Sequence, residues 1–200
     1  MQIENESVSI KAAQPGQTWW SRFLPILILT SVCWLLFLAD QLLFRGSLTN
    51  HGIVPRRLDG LAGILWAPFL HTSIKHLLAN TLPLLILGGI ICLRSKAEFR
   101  FVTGAGMVLG GVLTWLFGRT AIHVGASGLV FCFFGYLAAL AVFERKAVSF
   151  FAAAFCLFAY GGVLKGVLPT AGPVSWEGHL AGLMTGITLG WLIMKVRKTA

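Results

Sequence analysis

His76-Leu77-Leu78-Ala79-Asn80-Thr81-Leu82-Pro83-Leu84-Leu85-Ile86-Leu87-Gly88-Gly89-Ile90-Ile91-Cys92-Leu93 runs for 18 residues without a charge. A bilayer's hydrocarbon core, about 30 Å thick, is crossed by about 20 apolar residues of helix. The stretch therefore predicts a membrane-spanning helix. Working outward, five more charge-free runs have the same character: 23–39, 101–118, 120–143, 147–164 and 178–194. The pattern predicts an all-α, polytopic membrane protein with six transmembrane helices and little chain left for anything else.

Composition agrees. Of 200 residues, 56% are hydrophobic and 12% charged, with a mean hydropathy of +0.81. Soluble domains carry about 25% charged residues. These figures exclude a disordered chain and a cytosolic enzyme, and they leave little surface for nucleic acid. The net charge of +9 reads instead as basic loops facing anionic lipid. Residues 1–21 contain Glu4, Glu6, Pro15 and Gly16 and no apolar period. They are expected to form a flexible cytosolic tail rather than a cleavable signal, because the apolar run that follows is long enough to span. Residues 22–198 form the single membrane domain. With the N-terminus inside, the connections 94–100 and 144–146 are both basic and both inside, so the positive-inside rule places both termini in the cytoplasm. Cys33, Cys92, Cys132 and Cys156 each lie within an apolar run and read as small buried hydrophobes.

The longest connection, 45–75, then lies outside. Thirty residues of loop in so small a protein are usually functional. Leu58, Leu61, Ile64, Leu65 and Trp66 would share much of one helical face, as in an interfacial or re-entrant segment.

Polar groups inside a bilayer are functional candidates by default. No carboxylate lies in mid-span: Asp40, Asp59, Glu98, Glu144 and Glu177 sit at span ends or in loops. That argues against a proton pump or cation carrier and removes the acid from any Ser-His-Asp triad. His76 and Asn80, four residues apart at the start of the second span, share a helix face; they suit either a polar site or hydrogen bonding between helices. Gly125-Ala126-Ser127-Gly128 opens the fourth span. Its glycines leave the Ser127 hydroxyl unshielded, and a helix starting near Ser127 would aim free N–H groups and a positive dipole end at an oxyanion. A small-residue packing site is the alternative. Gly178-His179-Leu180-Ala181-Gly182 opens the sixth span, and Gly178, Gly182, Gly186 and Gly190 form a stripe that admits a close helix neighbour. His179, beside it, is either a packing histidine or a base. Even-numbered spans run in one direction, so His76, Asn80, Ser127 and His179 fall at similar depth. A nucleophile, a base and neutral donors at one level form the set that acyl transfer needs.

H-x-x-x-N opening the second span, G-x-S-G the fourth and G-H-x-x-G the sixth together resemble the rhomboid family of intramembrane serine proteases. Six spans and a long outer loop between the first two helices are similar to its minimal bacterial form, which implies a rhomboid-like six-helix bundle in a bacterial plasma membrane. The resemblance implies that Ser127 is the nucleophile and His179 its general base. It implies that His76, Asn80 and the Ser127 backbone N–H form the oxyanion hole. His71 matches a loop-anchoring histidine in the stretch His71-Thr72-Ser73-Ile74-Lys75-His76. Gly125, Gly128, Gly178 and Gly182 support the site. Phe131 stands where the family often has a tyrosine stacked on the catalytic histidine, so the hydroxyl is gone. The first loop reads Leu61-Ala62-Gly63-Ile64-Leu65-Trp66, without the family's common Trp-Arg pair.

The implied reaction is hydrolysis of peptide bonds in or beside transmembrane segments of protein substrates. These would enter laterally from the surrounding membrane lipids, with the bulky fifth span (Phe150, Phe151, Phe155, Phe158) as the gate. No cofactor, metal or nucleic acid is implied. Competing readings are a catalytically inactive relative that binds membrane proteins, a small six-span transporter, and a metal or haem site built from His71, His76, His123 and His179.

Overall fold

The computed structural model describes residues 19–144, 166–169, 172 and 174–199. Five helices in it are long and apolar enough to cross a membrane: α1 (Leu24–Leu42), α3 (Ile74–Arg94), α4 (Lys96–Phe117), α5 (Ser127–Glu144) and α6 (Trp176–Thr199). Between α1 and α3 lies one short helix, α2 (Gly63–Trp66). The described residues form an all-helical, multi-pass bundle without a β-strand; their one extended pairing joins Ile53 to His123. The expected span at 147–164, with its gate phenylalanines and Cys156, lies outside the described residues. Cys33, Cys92 and Cys132 are buried free thiols.

Helix boundaries follow local chemistry more than absence of charge. Ser73 caps α3 by accepting from the His76 N–H at 3.2 Å. Ser95 ends α3 and caps α4, accepting from the Glu98 N–H at 3.3 Å. Ser95-Lys96-Ala97-Glu98 has the capping-box spacing, so α4 starts before the charge-free run at 101. The run at 120–143 is not helical throughout: α5 begins at Ser127. Residues 119–126 have no charge after Arg119, yet their backbone is committed elsewhere. Ile53 and His123 exchange two N–H···O bonds of 2.9 Å, and Gly125 has φ +115°, a conformation that interrupts a right-handed helix. α6 continues beyond Met194 through Lys195 and Arg197 to Thr199.

The 43–73 connection is a series of tight turns rather than one amphipathic helix. Single 3₁₀ turns at Ser47–His51, Leu58–Gly60 and Ala67–Phe69 flank α2. Leu58, Leu61, Leu65 and Trp66 are exposed, but they lie in separate turns rather than on one helical face, and Ile64 is buried against Gly111 of α4.

α5 is the central helix. Leu129 to Phe133 are consecutively buried, so every side of its first turns is covered. In lipid such packing rests on close van der Waals fit. The glycine stripe of α6 supplies it. A methyl on Gly182 would overlap the Gly128 carbonyl, and one on Gly186 the Cys132 carbonyl, while Gly190 meets Ala139 and Tyr136. Gly178, at the top of the stripe, faces Ser175 instead. At the far end of the bundle an ionic cluster joins four helices. Arg94 (α3) bonds Glu144 (α5) at 3.1 Å, Arg197 (α6) pairs with Glu98 (α4) and Glu144, and the Tyr136 hydroxyl donates to Glu98 at 2.6 Å.

Candidate active site

Ser127 is the first residue of α5 and His179 lies in the first turn of α6. The glycine contact between these helices begins one residue after Ser127, at Gly128, and continues at Gly182. This close approach brings Ser127 Oγ to 2.8 Å from His179 Nε2. The other ring nitrogen, Nδ1, is 2.9 Å from the Gly166 carbonyl oxygen. Phe131, one turn after Ser127, is buried and stacks on the imidazole with centroids 4.4 Å apart and planes 18° apart. The face stacking expected of an aromatic there needs no hydroxyl.

His76 and Asn80 project from the first turns of α3 toward Gly125. A Cβ on Gly125 would lie 2.6 Å from His76 Nε2 and 3.6 Å from Asn80 Nδ2. With its φ of +115°, this position is restricted to glycine twice over: by backbone conformation and by the imidazole beside it. Asn80 Nδ2 donates to the His76 carbonyl at 3.1 Å, and Thr72 Oγ1 lies 3.4 Å from His76 Nδ1. The first N–H groups of α5 lack intrahelical partners by construction. Donors of three kinds thus converge around the turn that carries Ser127.

His71 holds that turn from the other side. Its Nε2 accepts from the Ala126 N–H at 3.4 Å and its Nδ1–H donates to the Phe69 carbonyl at 3.3 Å. The residue is 1% exposed. Burial, with a smaller contribution from nearby His76, pushes its pKa down from 6.5 to about 4, so it stays neutral and keeps Nε2 free to accept. The Gly125 N–H donates to the Ala67 carbonyl at 2.8 Å, which adds a second tie between the loop and the turn.

A further set of contacts anchors the start of α6. His123 lies 3.1 Å from the Arg119 carbonyl oxygen and 2.6 Å from Ser175 Oγ. Arg119 Nε is 3.6 Å from Glu177, and its guanidinium also donates to the Gly172 carbonyl at 2.9 Å. Sequence reading has no access to the Gly166 carbonyl, because a backbone group is not marked by residue type. Beside Ser127 a cavity of about 50 Å³ is lined mainly by apolar groups, Ile53, Ile64 and Met107 among them, with Thr114, His123 and Ser175 on its polar side; a space of this size has room for water. Among the described residues no group of three or more His, Cys, Asp or Glu is arranged to hold a metal ion.

The sequence profile of the Rhomboid domain matches residues 59–196. An uncharacterized protein of Mycobacterium tuberculosis is 38% identical over 185 residues, covering 88% of this chain and 76% of its own length. One from Mycobacterium leprae is 40% identical over 184 residues, covering 88% and 72%. RHOMBOID-like protein 4 of Arabidopsis thaliana is 31% identical over 141 residues, covering 66% of this chain and 34% of the plant protein.

Proposed function

The chain belongs to the rhomboid family, and on that premise we propose that it is an intramembrane serine endopeptidase working through a Ser127–His179 dyad. The observation that carries the proposal is the 2.8 Å contact between Ser127 Oγ and His179 Nε2, made between two different membrane-crossing helices. Ser127 Oγ–H donates to Nε2. As Oγ attacks a peptide carbonyl carbon, the proton passes to His179, which later delivers it to the leaving amine. The acyl-enzyme is then hydrolysed by a water activated by the same imidazole. Developing negative charge on the carbonyl oxygen meets the donors around Gly125: His76, Asn80 and the Ser127 N–H.

Substrates are transmembrane segments of other proteins, entering sideways from lipid through the region of the fifth span. A helix satisfies its own backbone hydrogen bonds, so the segment unwinds before its carbonyl reaches Ser127. Glycine, proline and small residues near the cleaved bond lower that barrier. In the six-span arrangement the site opens away from the cytoplasm, both termini are cytoplasmic, and the host membrane is a bacterial plasma membrane.

The test is cleavage of a panel of single-span membrane proteins reconstituted with the enzyme in liposomes. Wild type is expected to cut those with helix-breaking residues in or near the span, and Ser127→Ala to cut none. Cleavage by Ser127→Ala at the wild-type rate would refute the dyad. A wild-type protein that binds these substrates without cutting any would favour the inactive-relative reading.

A further inference from the structure

The two ring nitrogens of His179 have chemically different neighbours. Nε2 faces a hydroxyl at 2.8 Å, which either donates or accepts. Nδ1 faces the Gly166 carbonyl oxygen at 2.9 Å, which only accepts. The proton therefore sits on Nδ1. In the neutral ring Nε2 then carries the lone pair, and the Ser127 hydroxyl must donate to it. In a three-residue triad a buried carboxylate selects this tautomer and stabilises the imidazolium that forms. Among the described residues no carboxylate is hydrogen-bonded to His179.

A second observation is steric. A Cβ on residue 166 would lie 2.9 Å from His179 Nδ1 and 3.4 Å from Phe131 Cζ. The first distance is too short for the ring to stay where it is. The imidazole lies between the Phe131 face and the Gly166 backbone, so a Cβ at 166 would force the ring or the 166 backbone to shift. This argument for glycine does not depend on a backbone angle.

We propose that Gly166 is a positioning residue of the dyad: its carbonyl fixes His179 as the Nδ1–H tautomer aimed at Ser127, and its missing side chain admits the ring. The inference rests on the proteolytic reading of the site. It assigns to a backbone oxygen the orienting role for which the sequence offers no carboxylate.

The experiment uses the full chain, labelled with ¹⁵N-histidine, in phospholipid nanodiscs at about pH 8, above the ordinary histidine pKa. The His179 signals are assigned by their loss in His179→Asn. Wild type is expected to show a protonated Nδ1 and a pyridine-type Nε2. Gly166→Ala is expected to lose that single tautomer and to lower kcat about 10- to 100-fold, less than the ~10⁴-fold that follows a wrong tautomer in a carboxylate triad. KM should stay within about twofold, since ground-state binding is untouched. A protonated Nε2 in wild type would overturn the proposal. So would Gly166→Ala with wild-type tautomer and kcat. If Gly166→Ala does not fold, the wild-type spectrum decides alone. Reaction of the same wild-type sample with a fluorophosphonate separates the two layers. Labelling of Ser127 alongside a protonated Nε2 removes the role of Gly166 and leaves the protease; no labelling removes both.

Discussion

Gly182→Ala tests whether helix spacing sets the dyad. The added methyl would overlap the Gly128 carbonyl, and ordinary contact begins near 3.4 Å. α5 and α6 must therefore part by roughly 1 Å, because both colliding groups belong to packed backbone that cannot swing aside. Ser127 lies one residue from Gly128 and His179 three residues from Gly182, so the separation passes directly to the 2.8 Å contact. Stretched by that amount, it exceeds the 3.5 Å limit of a useful hydrogen bond. Overpacking of this kind destabilises by about 1–3 kcal/mol, and a displacement of about 1 Å lowers reactivity about 10²-fold. The assay pairs thermal unfolding in detergent with the rate of fluorophosphonate labelling. Gly104→Ala is the control, since nothing lies within 4 Å of a Cβ there. It is expected to keep the wild-type rate. Folded Gly182→Ala that labels as fast as wild type would refute the claim that the glycine contact sets the dyad distance.

Asn80→Ala is expected to lower kcat about 10²–10³-fold without abolishing cleavage, the usual effect of removing one oxyanion donor, measured on a liposome-reconstituted substrate. His71 gives a pH signature. Its folded-state value, about 4, lies below the ordinary 6.5, so the unfolded chain takes up the proton first. Its contribution to stability is complete above about 6.5, falls by up to about 1.4 kcal/mol per pH unit as pH drops toward 4, and levels off below. Thermal unfolding of His71→Asn across that window should show a shallower acid slope than wild type. Glu144→Gln removes one of the two carboxylates that Arg94 and Arg197 share, while Glu98 still pairs with both; a loss of about 1–3 kcal/mol is expected, read by unfolding in detergent, with the residual fluorophosphonate rate of folded protein little changed.

The features legible in sequence were those written in side chains at helical spacing. His76 and Asn80, Ser127 with its two glycines, and His179 beside a glycine stripe each sit at a span start, and three-dimensional packing brings Ser127 and His179 together. The apolar runs mark five membrane-length helices to within a few residues at most ends. The errors have physical causes. Residues 120–126 carry no charge, yet Gly125 and the Ile53–His123 bridge hold them out of a helix. Ile64 is buried where its neighbours are exposed because Gly111 opens a gap for it in α4. Glu98, Glu144, Arg94 and Arg197 read as separate loop charges because their sequence separations, up to 99 residues, carry no periodicity; only packing shows them as one cluster with Tyr136. The Gly166 carbonyl leaves no trace in the sequence because every residue has one.

Everything proposed for this protein depends on a hydroxyl of one helix being activated by an imidazole of another. Mass spectrometry of the full chain in nanodiscs after exposure to a fluorophosphonate reads that activation. A single phosphonyl adduct on Ser127 is expected, absent in Ser127→Ala and suppressed in His179→Ala. An adduct that persists in Ser127→Ala, or a wild-type protein that stays unmodified while folded, would contradict it.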